Sequence, residues 1–182
     1  MSAQETECRC AILAIAWGPH ITEGNFTMSF QILGLSGTSF IELYGLSDAE
    51  LATRNAKRYV ADANPGFPDR VELRDVEVGE PLILVHHEHQ AGATPYRASH
   101  AIFVREGAVE PSIVVNQIPK VLRTRVISAR AFNAEHWMVD ADLCAGSDLE
   151  GVIERLLAKK EVDYLQLHFA KYGCYAARVQ RA

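Results

Sequence analysis

The sequence predicts an α+β fold: a single domain with a largely antiparallel β-sheet and two or three helices packed on it. Three observations carry this expectation. Several short segments alternate apolar and polar side chains, the period of a half-buried strand. Only two helix starts are well marked. The strands also follow one another without the βαβ rhythm that a parallel sheet requires.

Taken in order, Phe30 to Leu35 and Phe40 to Leu43 read as short strands around Ser36-Gly37. Ser47 is a candidate N-cap with Glu50 three residues on, a capping box. Leu46 and Leu51 are placed as a hydrophobic staple, so a helix should run to about Asn55. Arg58 to Ala61 extends. Asn64-Pro65-Gly66-Phe67-Pro68 reads as a type II turn, with Gly66 accepting positive φ. Val71 and Leu73 alternate with Arg70, Glu72 and Arg74, the pattern of a half-exposed strand. Leu82-Ile83-Leu84-Val85 shows no alternation and reads as a strand covered on both faces. Ala101 to Arg105 is another apolar strand. Pro119 suits the first turn of a short helix through about Thr124. Val126 to Phe132 and Trp137 to Leu143 read as strands.

Ser147 and Glu150 form a second candidate capping box. Behind it, Leu149, Val152, Ile153, Leu156 and Leu157 make one apolar helical face. The chain then closes in a β-hairpin. Leu165, Leu167 and Phe169 point one way, Tyr164, Gln166 and His168 the other, and Lys171-Tyr172-Gly173 supplies a three-residue turn with Gly173 at positive φ. The Ser147 helix should cover the apolar face of this hairpin.

Residues 1–27 fit neither period. They combine Cys8 and Cys10, an apolar stretch from Ala11 to Trp17, and Gly18-Pro19, whereas Met28-Ser29-Phe30 opens a clean alternation. The expectation is a poorly ordered N-terminal extension over 1–27 and one globular domain over 28–182, with Met28 as the natural start.

Composition narrows the partners. The chain has 182 residues, 48% hydrophobic and 23% charged, with a net charge of −5. Those values suit a folded domain. Without a basic cluster they argue against a nucleic-acid partner. No apolar run reaches the roughly 18 residues of a membrane span, so no membrane partner is expected. Four cysteines without a paired CxxC suggest reduced thiols in a cytoplasm rather than a disulfide scaffold or a zinc ribbon. GxGxxG, GxxxxGK[ST] and GxSxG are absent, so standard dinucleotide, phosphate-loop and hydrolase readings lose their support. No cofactor is identified.

Three groups of residues can carry chemistry. If Ala170 pairs with Cys174 across the terminal turn, His168 and Cys174 become diagonal neighbours on one face, with Arg178 opposite Gln166. A thiol beside an imidazole and a guanidinium is suited to nucleophilic attack. The plainer alternative is a buried Cys beside a satisfied His. In the second group, His87 and His89 share one strand face. With a third imidazole from His168 or His100 they could hold a divalent metal, although a strand-borne HxH is a common accident. In the third, Tyr96-Arg97 follows a loop, and Arg97 could clamp a carboxylate or phosphate or simply form a surface salt bridge. Asp140 and Asp142 share one face of a presumed strand, where they could bind a cation or serve as an acid/base pair, or simply form a solvated edge.

Several blocks occur together: Leu43-Tyr44-Gly45-Leu46-Ser47-Asp48-Ala49-Glu50-Leu51, Arg58-Tyr59-Val60-Ala61-Asp62, Pro65-Gly66-Phe67-Pro68, Glu88-His89-Gln90, Pro95-Tyr96-Arg97-Ala98-Ser99, Ile102-Phe103-Val104-Arg105-Glu106 and Gly173-Cys174-Tyr175-Ala176-Ala177-Arg178-Val179. In this order they resemble the domain of unknown function 1203 family over Met28 to Ala182. The resemblance implies a small single-domain bacterial protein and no particular activity. It puts weight on His89, Tyr96, Arg97, His168 and Cys174. The chain departs from the family pattern at Asp69, where Cys is usual, at His100, where Gly is usual, and at His87, where an aromatic residue is usual. These departures weaken a three-histidine metal site and exclude a disulfide at position 69.

The resulting expectation is a small-molecule enzyme or binder whose His/Arg/Cys pocket recognises an anionic group. His168, Cys174 and His89 would carry chemistry, and Arg97, Tyr96 and Arg178 would bind. The alternatives are a non-catalytic structural or protein-interaction domain, and a divalent-metal-binding protein using the His86–His89 segment. The residues alone leave open whether the protein is an enzyme, and they leave its oligomeric state open too.

Overall fold

The computed structural model describes residues 28–182; the expected extension over 1–27 lies outside the described residues. The order is β1 (Phe30–Leu33), α1 (Asp48–Thr53), β2 (Lys57–Val60), β3 (Pro81–Gln90), β4 (Ala98–Arg105), β5 (Ile113–Val115), α2 (Lys120–Arg123), β6 (Val126–Phe132), β7 (Met138–Ala145), α3 (Leu149–Leu157), β8 (Tyr164–Phe169) and β9 (Cys174–Arg181). Six strands form one sheet in the order β5-β1-β9-β8-β6-β7, and three form a second in the order β2-β3-β4. Every strand pair is antiparallel. The α+β expectation therefore holds.

Three layers result. On one face of the large sheet, Ile127, Ala129, Leu165, Leu167 and Val179 pack against Leu149, Ile153, Leu156 and Leu157 of α3, as the hairpin and helix patterns predict. On its other face sits the small sheet. Ile83, Val85, Ile102 and Val104 form a core with Phe40, Leu51, Val71 and Tyr175 of β9. β8 lies between the two cores and is buried at every position. That explains why Tyr164, Gln166 and His168, which look solvent-facing in the alternation, lie inside.

The α1 capping box forms as read: Ser47 Oγ accepts from Glu50 N, and the Glu50 carboxylate accepts from Ser47 N at 2.8 Å. The second one does not. α3 starts at Leu149 with Asp148 at the N-cap, and the Ser147 hydroxyl is turned to the Asp148 carboxylate instead. Three further expectations are corrected. Residues 37–43 form a 3-10 helix that buries Phe40 and Leu43, not a strand. Val71 and Leu73 are buried in an irregular segment, with Leu73 at φ 53. The Asn64-Pro65 peptide is cis, and Gly66 is not among the positive-φ glycines.

The terminal hairpin is closed by four residues, Ala170–Gly173, with Gly173 at φ 72 and its N–H donating to Phe169 O at 2.8 Å. Phe169, not Ala170, is opposite Cys174, and the register shifts between Leu167 and His168, so that Tyr175 faces His168. Adding one residue to the turn moves each side chain of the return strand to the other face until the bulge restores the phase. His168 and Cys174 consequently emerge on opposite faces of the sheet, which corrects the expected diagonal pair. Beyond the bulge the reading holds: Gln166 is opposite Arg178.

Candidate functional site

The expected residues divide between three places. Cys174 lies on the Phe169 face, in a cleft of about 330 Å³ between the 170–173 loop, the 66–70 segment and Phe103 of β4. At its floor is Arg70, 1% exposed. The Arg70 guanidinium donates to Tyr175 O at 2.9 Å, to Pro68 O, and through Nη2 to Cys174 Sγ at 3.1 Å. It also lies 5.0 Å from the centre of the Phe169 ring, which Arg125 approaches at 5.3 Å.

Asp69 explains how this arginine is held. Its carboxylate accepts from the backbone N–H groups of Val71, Glu72 and Arg105 and ties the segment to β4. It thereby serves the loop and not its neighbour Arg70. Among the described residues no carboxylate lies within ion-pair distance of Arg70. Burial pushes the guanidinium below its ordinary range, and the nearby Cys174 sulfur opposes that shift. A buried charge is normally paired; here, among the described residues, the one acceptor outside the main chain is a sulfur. Arg125 and Lys171 also line the cleft, together with Phe103, Phe169 and Tyr172, and among the described residues the lining holds no Asp or Glu. Arg125 is paired with Asp75, while Lys171 lies over the Tyr172 ring on the loop. The cleft therefore combines apolar walls with an excess of positive charge.

His89 and His168 meet on the opposite face, between the sheets. Their ring centres are 4.8 Å apart at an interplanar angle of 77°, and Tyr175 stacks on His89 at 5.5 Å. The Gln166 amide donates from Nε2 to His89 O and accepts at Oε1 from His89 Nδ1–H, at 2.8 and 2.9 Å. His168 Nδ1–H donates to Gly173 O at 3.1 Å, while its Nε2 is buried and has no partner among the described residues. Carbonyl oxygens only accept, so both Nδ1 atoms carry the proton and both Nε2 atoms present a lone pair. Burial, helped by the charge of Arg130, pulls His168 down to about 3. Burial also lowers His89, with Arg130 acting in the same direction and the Gln166 bond opposing it. Both rings are therefore neutral at pH 7. His87 is lowered to about 4, first by burial, and packs edge-on to Phe40. Among the described residues no group of three or more His, Cys, Asp or Glu is placed to hold a metal.

The remaining residues lie elsewhere. Arg97 is paired with Glu88 on the surface, its side chain 64% exposed. Tyr96 packs edge-on to Trp137 and Phe132. Arg178 lies 3.7 Å over the Tyr164 ring. Asp140 is paired with Lys159, just past the end of α3, and Asp142 with Arg155 of α3, which agrees with the solvated-edge alternative rather than with a free cation site.

Arg70, Phe103, Arg125, Phe169 and Lys171 are not among the site residues expected from the sequence. The sole signal near Arg70 was the Pro65-Gly66-Phe67-Pro68 block just before it, because the alternation around Val71 and Leu73 assigned this arginine to solvent. No helix among the described residues is long and apolar enough to cross a membrane. No curated protein and no solved structure matches the chain. A family model described as protein of unknown function (DUF1203) matches residues 66–181, more than half of the chain and including both the cleft and the histidine pair. The chain belongs to the DUF1203 family.

Proposed function

We propose that the protein binds a small molecule with an apolar body and an anionic head, such as an aromatic or short-chain carboxylate, in the Arg70–Cys174 cleft. The observation that carries this reading is the fully buried Arg70, which has no carboxylate partner among the described residues and sits at the floor of a cleft lined by aromatic rings. Holding a guanidinium out of water is costly unless it is paired. A ligand carboxylate supplies the missing counter-charge in the bidentate geometry that arginine favours. Phe103, Phe169 and Tyr172 face the apolar part of the ligand, and Lys171 at the rim draws the anion in. Cys174 lies beside the bound head, where a sulfur next to a guanidinium can act as a nucleophile. The imidazole expected to assist it is on the other side of the sheet, so any chemistry at Cys174 proceeds without His168.

Thermal unfolding with benzoate and with its neutral isostere benzamide tests this. Benzoate should raise Tm and benzamide should not. Arg70→Met should abolish the difference, and Lys171→Met, on an exposed loop, should reduce it without altering the fold. Equal shifts from the two probes, or no shift from either, would favour the non-catalytic structural domain.

A further inference from the structure

We propose that His89 and His168 form a two-imidazole site for a first-row divalent metal ion, with its remaining coordination positions open to small ligands. The inference is independent of the cleft and rests on a different face of the sheet.

The first argument is the orphaned nitrogen. His168 is 0% exposed, and its Nε2 is the one buried side-chain polar atom without a partner among the described residues. A buried polar atom left unsatisfied is rare and calls for an occupant. The second is the orientation of both rings. Histidines that bind metals usually donate the other ring N–H to a carbonyl or carboxylate, which fixes the tautomer and raises the basicity of the ligating nitrogen. Here Gln166 Oε1 and Gly173 O play that part for His89 and His168. Gln166 is itself locked by its bond to His89 O, so His89 is clamped at both its main chain and its ring.

The third argument is distance. Imidazoles bind zinc with metal–nitrogen bonds of about 2.0–2.1 Å, which puts two ring centres about 5 Å apart at a tetrahedral angle. The observed separation is 4.8 Å. Imidazole donors suit zinc, nickel and copper, with Cu²⁺ bound most tightly. Among the described residues no third protein ligand is in place, so an ion held by the two imidazoles keeps positions for other ligands. Arg130, opposite Gln166 on β6, opposes a bare dication, and an anionic co-ligand offsets that opposition.

The test uses the full, untagged chain with Cys8→Ser and Cys10→Ser, so that N-terminal thiols do not compete. Titration with Cu²⁺ should show one ion per chain, and its electron paramagnetic resonance spectrum should show two equivalent nitrogens. His89→Gln should weaken binding at least tenfold and leave one nitrogen. It alters a half-buried ring and spares the core, so folding is checked by an unchanged far-ultraviolet circular dichroism spectrum. His86→Gln, on the outer face of the strand, should change nothing. Absence of stoichiometric binding, or a two-nitrogen spectrum that survives His89→Gln, would overturn the proposal, as would loss of binding in His86→Gln.

Discussion

Cys174→Ala isolates the contact on which the cleft is built. The substitution removes the sulfur that accepts from Arg70 Nη2 at 3.1 Å and leaves the guanidinium with two main-chain acceptors, Tyr175 O and Pro68 O. A hydrogen bond to a charged group contributes about 1.5–3 kcal/mol. Loss of the buried sulfur from its packing against the core adds about 1 kcal/mol. The expected cost is therefore about 3 kcal/mol. In an Arg70→Met background the hydrogen-bond contribution is already gone, so the same substitution should cost only about 1 kcal/mol. The coupling between the two positions is then about 2 kcal/mol. Urea unfolding of wild type, both single variants and the double variant gives all four free energies, with an unchanged m-value confirming that the native and unfolded states remain comparable. An equal cost of Cys174→Ala in both backgrounds would show that the sulfur is not the partner of the guanidinium.

Other perturbations read other parts of the structure. His168 has a folded pKa of about 3 against an ordinary value of 6.5, so the unfolded chain binds more protons between those values. His168 should therefore contribute a fall in stability of about 1 kcal/mol per unit as pH drops from 6.5 to 5, and His168→Phe should reduce the slope by that amount in urea unfolding as a function of pH, leaving the share of His87, which is lowered in the same direction. Ser47→Ala removes the α1 capping box and should cost about 1 kcal/mol by the same assay. Ile153→Ala opens a cavity where α3 meets the large sheet and should cost about 3 kcal/mol. Gly173→Ala puts a side chain at φ 72 and should cost about 1 kcal/mol. Because Gly173 O holds the His168 ring, it should also shift the His168 Nε2 nitrogen resonance.

The legible parts of the chain were those where local pattern and tertiary environment agree. The apolar face of α3, the capping box at Ser47 and the alternation of Leu165, Leu167 and Phe169 each specify the same burial that the fold imposes. Position within the fold was not legible. Tyr164, Gln166 and His168 alternate like a wet strand face, but a second sheet covers them. Their partners Gln90 and His89 come from more than seventy residues away. The register of the terminal hairpin depended on one residue of turn length and one bulge, neither of which has a local signature strong enough to distinguish three loop residues from four. The cost of that single step was the whole His168–Cys174 pairing. Arg70 was hidden for the opposite reason. Alternation with Val71 assigned it to solvent, whereas Asp69 folds the segment inward through three backbone N–H groups. His89 and His168 were both singled out from the sequence, and the structure brings their rings together from two sheets, without the Arg97 and Cys174 expected to share their pocket.

The most direct test of the anion-selective cleft is a comparison of iodoacetate with iodoacetamide at Cys174, read residue by residue by mass spectrometry. In both reactions the sulfur displaces iodide; the reagents differ in carrying a carboxylate or a neutral amide. The buried guanidinium should draw in the carboxylate, so Cys174 should be modified faster by iodoacetate, with Cys144, which lines no part of the cleft, showing the reverse order. A preference for iodoacetamide at both cysteines would contradict the account.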